Sequence, residues 1–156
     1  MHPSAAKVVA AASAAGLDID VVEYPEGTRT AEQAAAAVGC EVARIVKSLV
    51  FAVDGTPVLA LVAGDNRLDE DRLVAAAGGE RAGRADADVV RSTTGFAIGG
   101  VPPFGHDTQL ATFVDESLLA HDTVWAAAGT PRHVFEVAPG DLVRLSGGRA
   151  VPLAAV

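Results

Sequence analysis

Lys47 stands inside the run Ile45 to Val53, whose other members are apolar except for Ser48. Burying an unpaired ammonium is costly, so Lys47 must reach solvent, a counter-ion or a ligand. A lysine guarding an edge strand against aggregation would meet that need. A ligand is favoured by a second feature: the chain holds ten arginines and only two lysines. A lysine kept in a strand against that preference points to a compact amine, for instance a point charge for a phosphate.

Two glycine-rich loops could complete such a site. In Gly99-Gly100-Val101-Pro102-Pro103-Phe104-Gly105, three glycines let main-chain amides come close to a ligand and two prolines keep the loop stiff. An oxyanion or phosphate cradle has these requirements, and so does a tight structural turn. The loop is not a Walker phosphate loop, because His106-Asp107 follows Gly105 where Lys and Ser or Thr belong. The second loop, Gly129-Thr130-Pro131-Arg132-His133, ends in an imidazole that could line a pocket or orient water.

Other chemistries find less support. His106, His121 and His133 lack the paired spacing of metal ligands, so no metal is expected. Cys40 follows a helix end, where the dipole raises a thiol pKa, and reads as a small buried residue. There is no Gly-x-Ser-x-Gly elbow and no dinucleotide fingerprint. Asp115 and Glu116 read as caps for the turn into Ser117-Leu118-Leu119.

These residues need elements to hold them. Ala5 to Ala15 predicts a helix ended at Gly16, and Ile19 to Tyr24 a strand ended by Pro25 and Gly27. Thr30 with Gln33 is a capping box, so residues 31 to 38 are helical up to Gly39. Ile45 to Val53, the turn Asp54-Gly55 and Val58 to Ala63 form a hairpin. Asp69 or Asp71 opens a helix through Ala77, and Asp86 caps another through Ser92. Strands at Thr112 to Val114, Thr123 to Ala127 and His133 to Val137 precede a helix from Pro139 to about Leu145. Hairpins mixed with scattered helices indicate an α+β (mixed α/β) fold rather than a regular βαβ array.

The 156 residues are half apolar and 21% charged, which fits one domain across 1–156 with a real core. The apolar runs are too short to span a bilayer, so no membrane partner is expected. Met1 to Lys7 lacks the pattern of a secretory signal, and a cytoplasmic location follows as the default. A net charge of −8 argues against a general nucleic-acid binder but leaves room for a local cluster of cations that holds a few phosphates.

Six segments, taken together and in order, resemble the YbaK/ProX family, which is also the inserted editing domain of bacterial prolyl-tRNA synthetases. They are Thr30 to Ala35, Ile45 to Phe51, Ser92 to Phe96, Gly99 to Gly105, Val114 to Leu118, and Gly129 to Val137 with Pro139 to Leu142. The resemblance implies a single domain with a twisted, partly barrel-like mixed sheet flanked by helices. It implies hydrolysis of mischarged tRNA, often tRNA for proline carrying a smaller amino acid, with no cofactor and with tRNA and an aminoacyl-tRNA synthetase as partners. By that analogy Lys47 would bind the terminal adenosine end, with Gly100 and Val101 offering main-chain groups to the reaction. Tyr24 and Ser48 would line the same pocket, and Gly99, Pro103, Phe104, Gly105, Asp115, Gly129 and His133 would complete the substrate site. Arg81, Arg84 and Arg91 are candidate phosphate contacts from local density alone. One departure is Pro102, where many relatives carry a serine. With the acidic surface, it leaves a second reading open, a non-hydrolytic module that binds the acceptor end; a third, a small-molecule or nucleotide-binding protein, requires the Gly99 to Gly105 loop to hold a free phosphate.

Overall fold

The computed structural model describes residues 1–155. The hairpin is its backbone. Strands β2 (Val46–Val53) and β3 (Thr56–Ala63) pair along their whole length, from Val46 opposite Ala63 to Val53 opposite Thr56. Asp54 and Gly55 adopt the positive φ values (50° and 82°) that let a two-residue turn follow the strand twist.

Two sheets form. The larger has the order β4-β2-β3-β5-β8, with β4 (Ala82–Arg84), β5 (Ala111–Asp115) and β8 (Arg149–Val151). Its β3–β5 and β5–β8 pairs are parallel and the others antiparallel. The smaller is an antiparallel β1-β7-β6 sheet of Val21–Glu23, His133–Val137 and Val124–Ala127. Among the described residues one isolated bridge, Ile45 to Trp125, links the two. The sheets wrap a common core without closing a barrel, which refines the expected partly barrel-like sheet into two.

The apolar run of β2 and β3 is explained by burial on both faces. Val46, Val50, Leu59 and Leu61 face the core between the sheets, which also holds Val101, Phe104, Val124, Ala126 and Phe135. Phe51, Val53, Val58, Ala60 and Val62 face a second core closed by Leu73 and Leu153. Within β2 the residues Lys47, Ser48 and Leu49 are only half-buried.

Among the described residues five α-helices flank the sheets: α1 (Pro3–Ala14), α2 (Ala31–Val38), α3 (Glu70–Ala77), α4 (Ala87–Thr94) and α5 (Pro139–Ser146). The expected caps are in place. Thr30 and Gln33 form a reciprocal capping box, and Asp69 and Asp86 accept from amides of their own first turns. Asp115 departs from expectation, because it makes no side-chain cap for the 3₁₀ turn Glu116–Ala120 and turns to other partners described below. Cys40 is half-buried rather than buried. Burial pushes its thiol pKa up, against the pull of Arg44.

Candidate functional site

The hairpin, the first glycine loop and α2 meet around a cavity of about 400 Å³. Strand β4 accompanies β2 only from Phe51 to Val53, with one further bond from Ala85 N to Val50 O. Residues 46 to 49 therefore lie beside an opening instead of a neighbouring strand, and Val46, Lys47, Ser48 and Leu49 all line it. Thr28 to Glu32 at the start of α2, Ile98, Gly99, Val101, and Trp125 to Ala127 of β6 form the other walls.

Lys47 is held in this cavity by its own terminus. Its Nζ donates to the main-chain oxygen of Asn66 at 2.5 Å. Burial lowers its pKa from the ordinary lysine value, and Arg84 adds to the lowering while Glu32 and Asp65 oppose it. Burial is thus the main cause of the lowering, and the two carboxylates act against it.

Ser48 shows a different deficit. Its Oγ is buried and has no hydrogen-bond partner, the one such side-chain atom among the described residues. Buried hydroxyls almost always find a partner, so this one calls for explanation.

The two glycine loops touch. A Cβ on Gly100 would stand 2.6 Å from Thr130 Cα and 2.8 Å from Thr130 N, so only glycine lets the loops come this close. Gly99 has φ 93° and lies under Pro131. The first loop reaches the cavity through Gly99 and Val101. The second does not line it; Pro131 O instead accepts from Thr28 N and Thr28 Oγ1, which fixes the cavity wall from behind.

The remaining expected residues separate by role. Pro103 and Phe104 are buried, Phe104 packing edge-on against Phe135 at 5.6 Å, and Gly105 has φ 84° against Ala11. His133 is 7% exposed; its Nδ1 meets Thr130 Oγ1 at 2.5 Å and its Nε2 lies 3.5 Å from Glu23, so the imidazole braces the second loop and stays out of the cavity. Gly129 is pressed against Ser4 of α1. Tyr24 parts company with Ser48, lining a separate depression with Gln33, Ala36 and Ala37 on another face of α2. Pro102 is buried outside the cavity lining, its carbonyl 2.6 Å from His106 Nε2.

Asp115 is 1% exposed and belongs to the support of Lys47. Its Oδ1 accepts from Leu153 N at 2.9 Å and Ala154 N at 3.3 Å, and its Oδ2 accepts from Ser117 Oγ and, at 3.4 Å, from Asn66 Nδ2. Asn66 also donates to Ser117 Oγ at 3.0 Å. The carboxylate thus fixes the asparagine whose carbonyl holds the lysine. Asn66, Arg29, Glu32, Ile98 and Trp125 all escaped the sequence reading. The capping box marks Arg29 as the residue before a helix N-cap, which is a usable signal; Trp125 has none, because a bridge between sheets puts it there.

Residues 25–145 match the family model of the aminoacyl-tRNA editing domain. The chain belongs to the aminoacyl-tRNA editing domain family. It is 36% identical over 130 residues to the uncharacterized protein YwhH of Bacillus subtilis, covering 81% of each chain. It is 30% identical over 127 residues to EbsC of Enterococcus faecalis, a candidate Cys-tRNA(Pro)/Cys-tRNA(Cys) deacylase, covering 81% of this chain and 77% of that one. A proline--tRNA ligase of Maridesulfovibrio salexigens matches at 37% over 109 residues, 70% of this chain but 18% of the ligase. Among solved structures, a candidate trans-editing enzyme for prolyl tRNA synthetase superposes with a TM-score of 0.94 at 46% identity, covering 100% of this chain and 99% of the other. The mixed α/β architecture is that of this neighbour.

Proposed function

We propose that this editing domain is a trans-editing aminoacyl-tRNA deacylase. Its substrate is a mischarged tRNA, in the first instance tRNA for proline carrying a smaller amino acid, and a positioned water cleaves the ester. The observation that carries the proposal is the convergence of Lys47 and the open edge of β2 with Gly99 and Val101 on one cavity. The names of the relatives support the same chemistry.

An aminoacyl ester is already activated, so catalysis needs positioning and stabilisation of the developing oxyanion more than a covalent nucleophile. Lys47 anchors the acceptor end. Main-chain groups of Gly99 and Val101 face the ester, while Gly100, whose amide donates to Ala97 O at 3.0 Å, lies outside the lining; a ribose hydroxyl of the substrate helps to activate the water. The apolar walls from Val46, Val101, Ala126 and Val134 limit the volume open to the amino-acid side chain.

The alternative, an acceptor-end binding module without hydrolysis, draws on Pro102 in place of a serine. Pro102 lies outside the cavity lining, so that replacement removes no group from the cavity. Incubation with a panel of mischarged tRNAs separates the two readings. Release of the amino acid is expected for at least one small residue on tRNA for proline; binding with no release from any member would favour the module.

A further inference from the structure

The cavity carries a charge opposite to that of the protein. The chain has a net charge of −8, yet three of the four charged residues that line the cavity are cations: Arg29, Lys47 and Arg84, with Glu32 as the single carboxylate. None of the ion pairs formed among the described residues uses any of the three. Lys47 already has the Asn66 carbonyl, whereas Arg29 and Arg84 are exposed residues of the lining.

Both arginines stand on fixed backbone. The amide of Arg29 donates to Gln33 Oε1 at 3.2 Å, within the capping box of α2. Arg84 sits opposite Phe51 in the β2–β4 ladder, with its guanidinium carbon 5.8 Å from the ring centroid. That placement brings it close enough to Lys47 to disfavour the lysine's charge. Three cations facing one lining carboxylate, Glu32, with Asp65 the other that bears on Lys47, leave the set short of negative charge; an anion completes it, and planar guanidinium forks match phosphate oxygens.

We infer that Arg29 and Arg84 grip the phosphodiester groups of a single-stranded RNA 3′ end, one on each side of the cavity whose interior holds the terminal nucleoside. Arg81 and Arg91, the other sequence candidates, do not line the cavity and take no part. This assignment rests on the acceptor-end reading and adds to it the contacts that supply affinity.

The two sets of arginines provide their own control, because each double variant removes the same charge. Binding of a 5′-phosphorylated CCA trinucleotide would be measured across a salt series for the wild type, Arg29→Gln/Arg84→Gln and Arg81→Gln/Arg91→Gln, with thermal melts to show that each folds. The rim variant is expected to bind at least about tenfold more weakly and to lose roughly 0.7 of salt slope per phosphate contact removed, with the control variant unchanged. Equal losses in both variants would overturn the inference, since a diffuse field would then explain the affinity. Competition by inorganic phosphate or AMP as strong as that of the trinucleotide would also overturn it, in favour of a free-phosphate site. Rim-dependent binding of the trinucleotide without hydrolysis of any charged tRNA would leave the inference standing and sink the deacylase reading. Hydrolysis with identical salt slopes in all three proteins would do the reverse.

Discussion

Ser48 and Lys47 are adjacent in sequence and burial tells on each differently: the first has a hydroxyl with nothing to bond, the second an ammonium whose charged form burial disfavours. Deleting an unsatisfied buried hydroxyl removes a desolvation cost of about 1 kcal/mol or more and leaves a small void. Ser48→Ala is therefore expected to melt at the wild-type temperature or slightly above it. If a substrate group or an ordered water pairs with that hydroxyl during turnover, the same variant loses kcat/KM. A melting temperature lowered by several degrees would show instead that the hydroxyl is already satisfied in the free protein. His106 gives a second prediction at this scale. Burial pushes its pKa below the ordinary 6.5, against the bond to Pro102, with Lys7 lowering it further and Asp107 opposing. The fold prefers the neutral ring, so the contribution is fully present above 6.5 and is lost as pH falls through the folded value. Thermal melts over an acid series should show His106→Gln losing less stability than the wild type below that pH; parallel curves would remove His106 from the acid response.

Elements with local chemistry at their ends were legible, and contacts across the fold were not. Thr30, Gln33 and Gly39 define α2 to the residue because each acts within a few positions of itself. The β2–β3 hairpin was legible from Asp54-Gly55 for the same reason. Strands β4 and β8 are three residues each, too short to show a period, and they exist because longer strands offer them partners. The Ile45–Trp125 bridge, the Asn66–Asp115 link and the distance of Tyr24 from Ser48 are likewise products of tertiary packing. The contact between the two loops makes a prediction of its own. Gly100→Ala forces a methyl group against the Thr130 backbone, which cannot swing aside as a side chain can. A destabilisation of about 1–3 kcal/mol is expected from denaturant unfolding, with a fall in activity because Gly99 and Val101 move together with it. An unchanged midpoint and unchanged activity would mean that the loops are not coupled.

At the scale of the whole molecule, an acidic chain of −8 surrounds a cavity where cations outnumber carboxylates three to one. On the proposed reading, the acidic exterior would disfavour indiscriminate binding along RNA, and the local reversal of sign would favour a single terminus. The proposed function depends above all on Lys47, the lysine among those lining cations. Single-turnover hydrolysis of a mischarged tRNA by Lys47→Ala, with circular dichroism to show an intact fold, is the direct measurement. A loss of about a hundredfold or more in rate is expected, the scale on which removal of one preorganised polar group is felt in an active site. A folded variant that releases the amino acid at the wild-type rate would contradict the account.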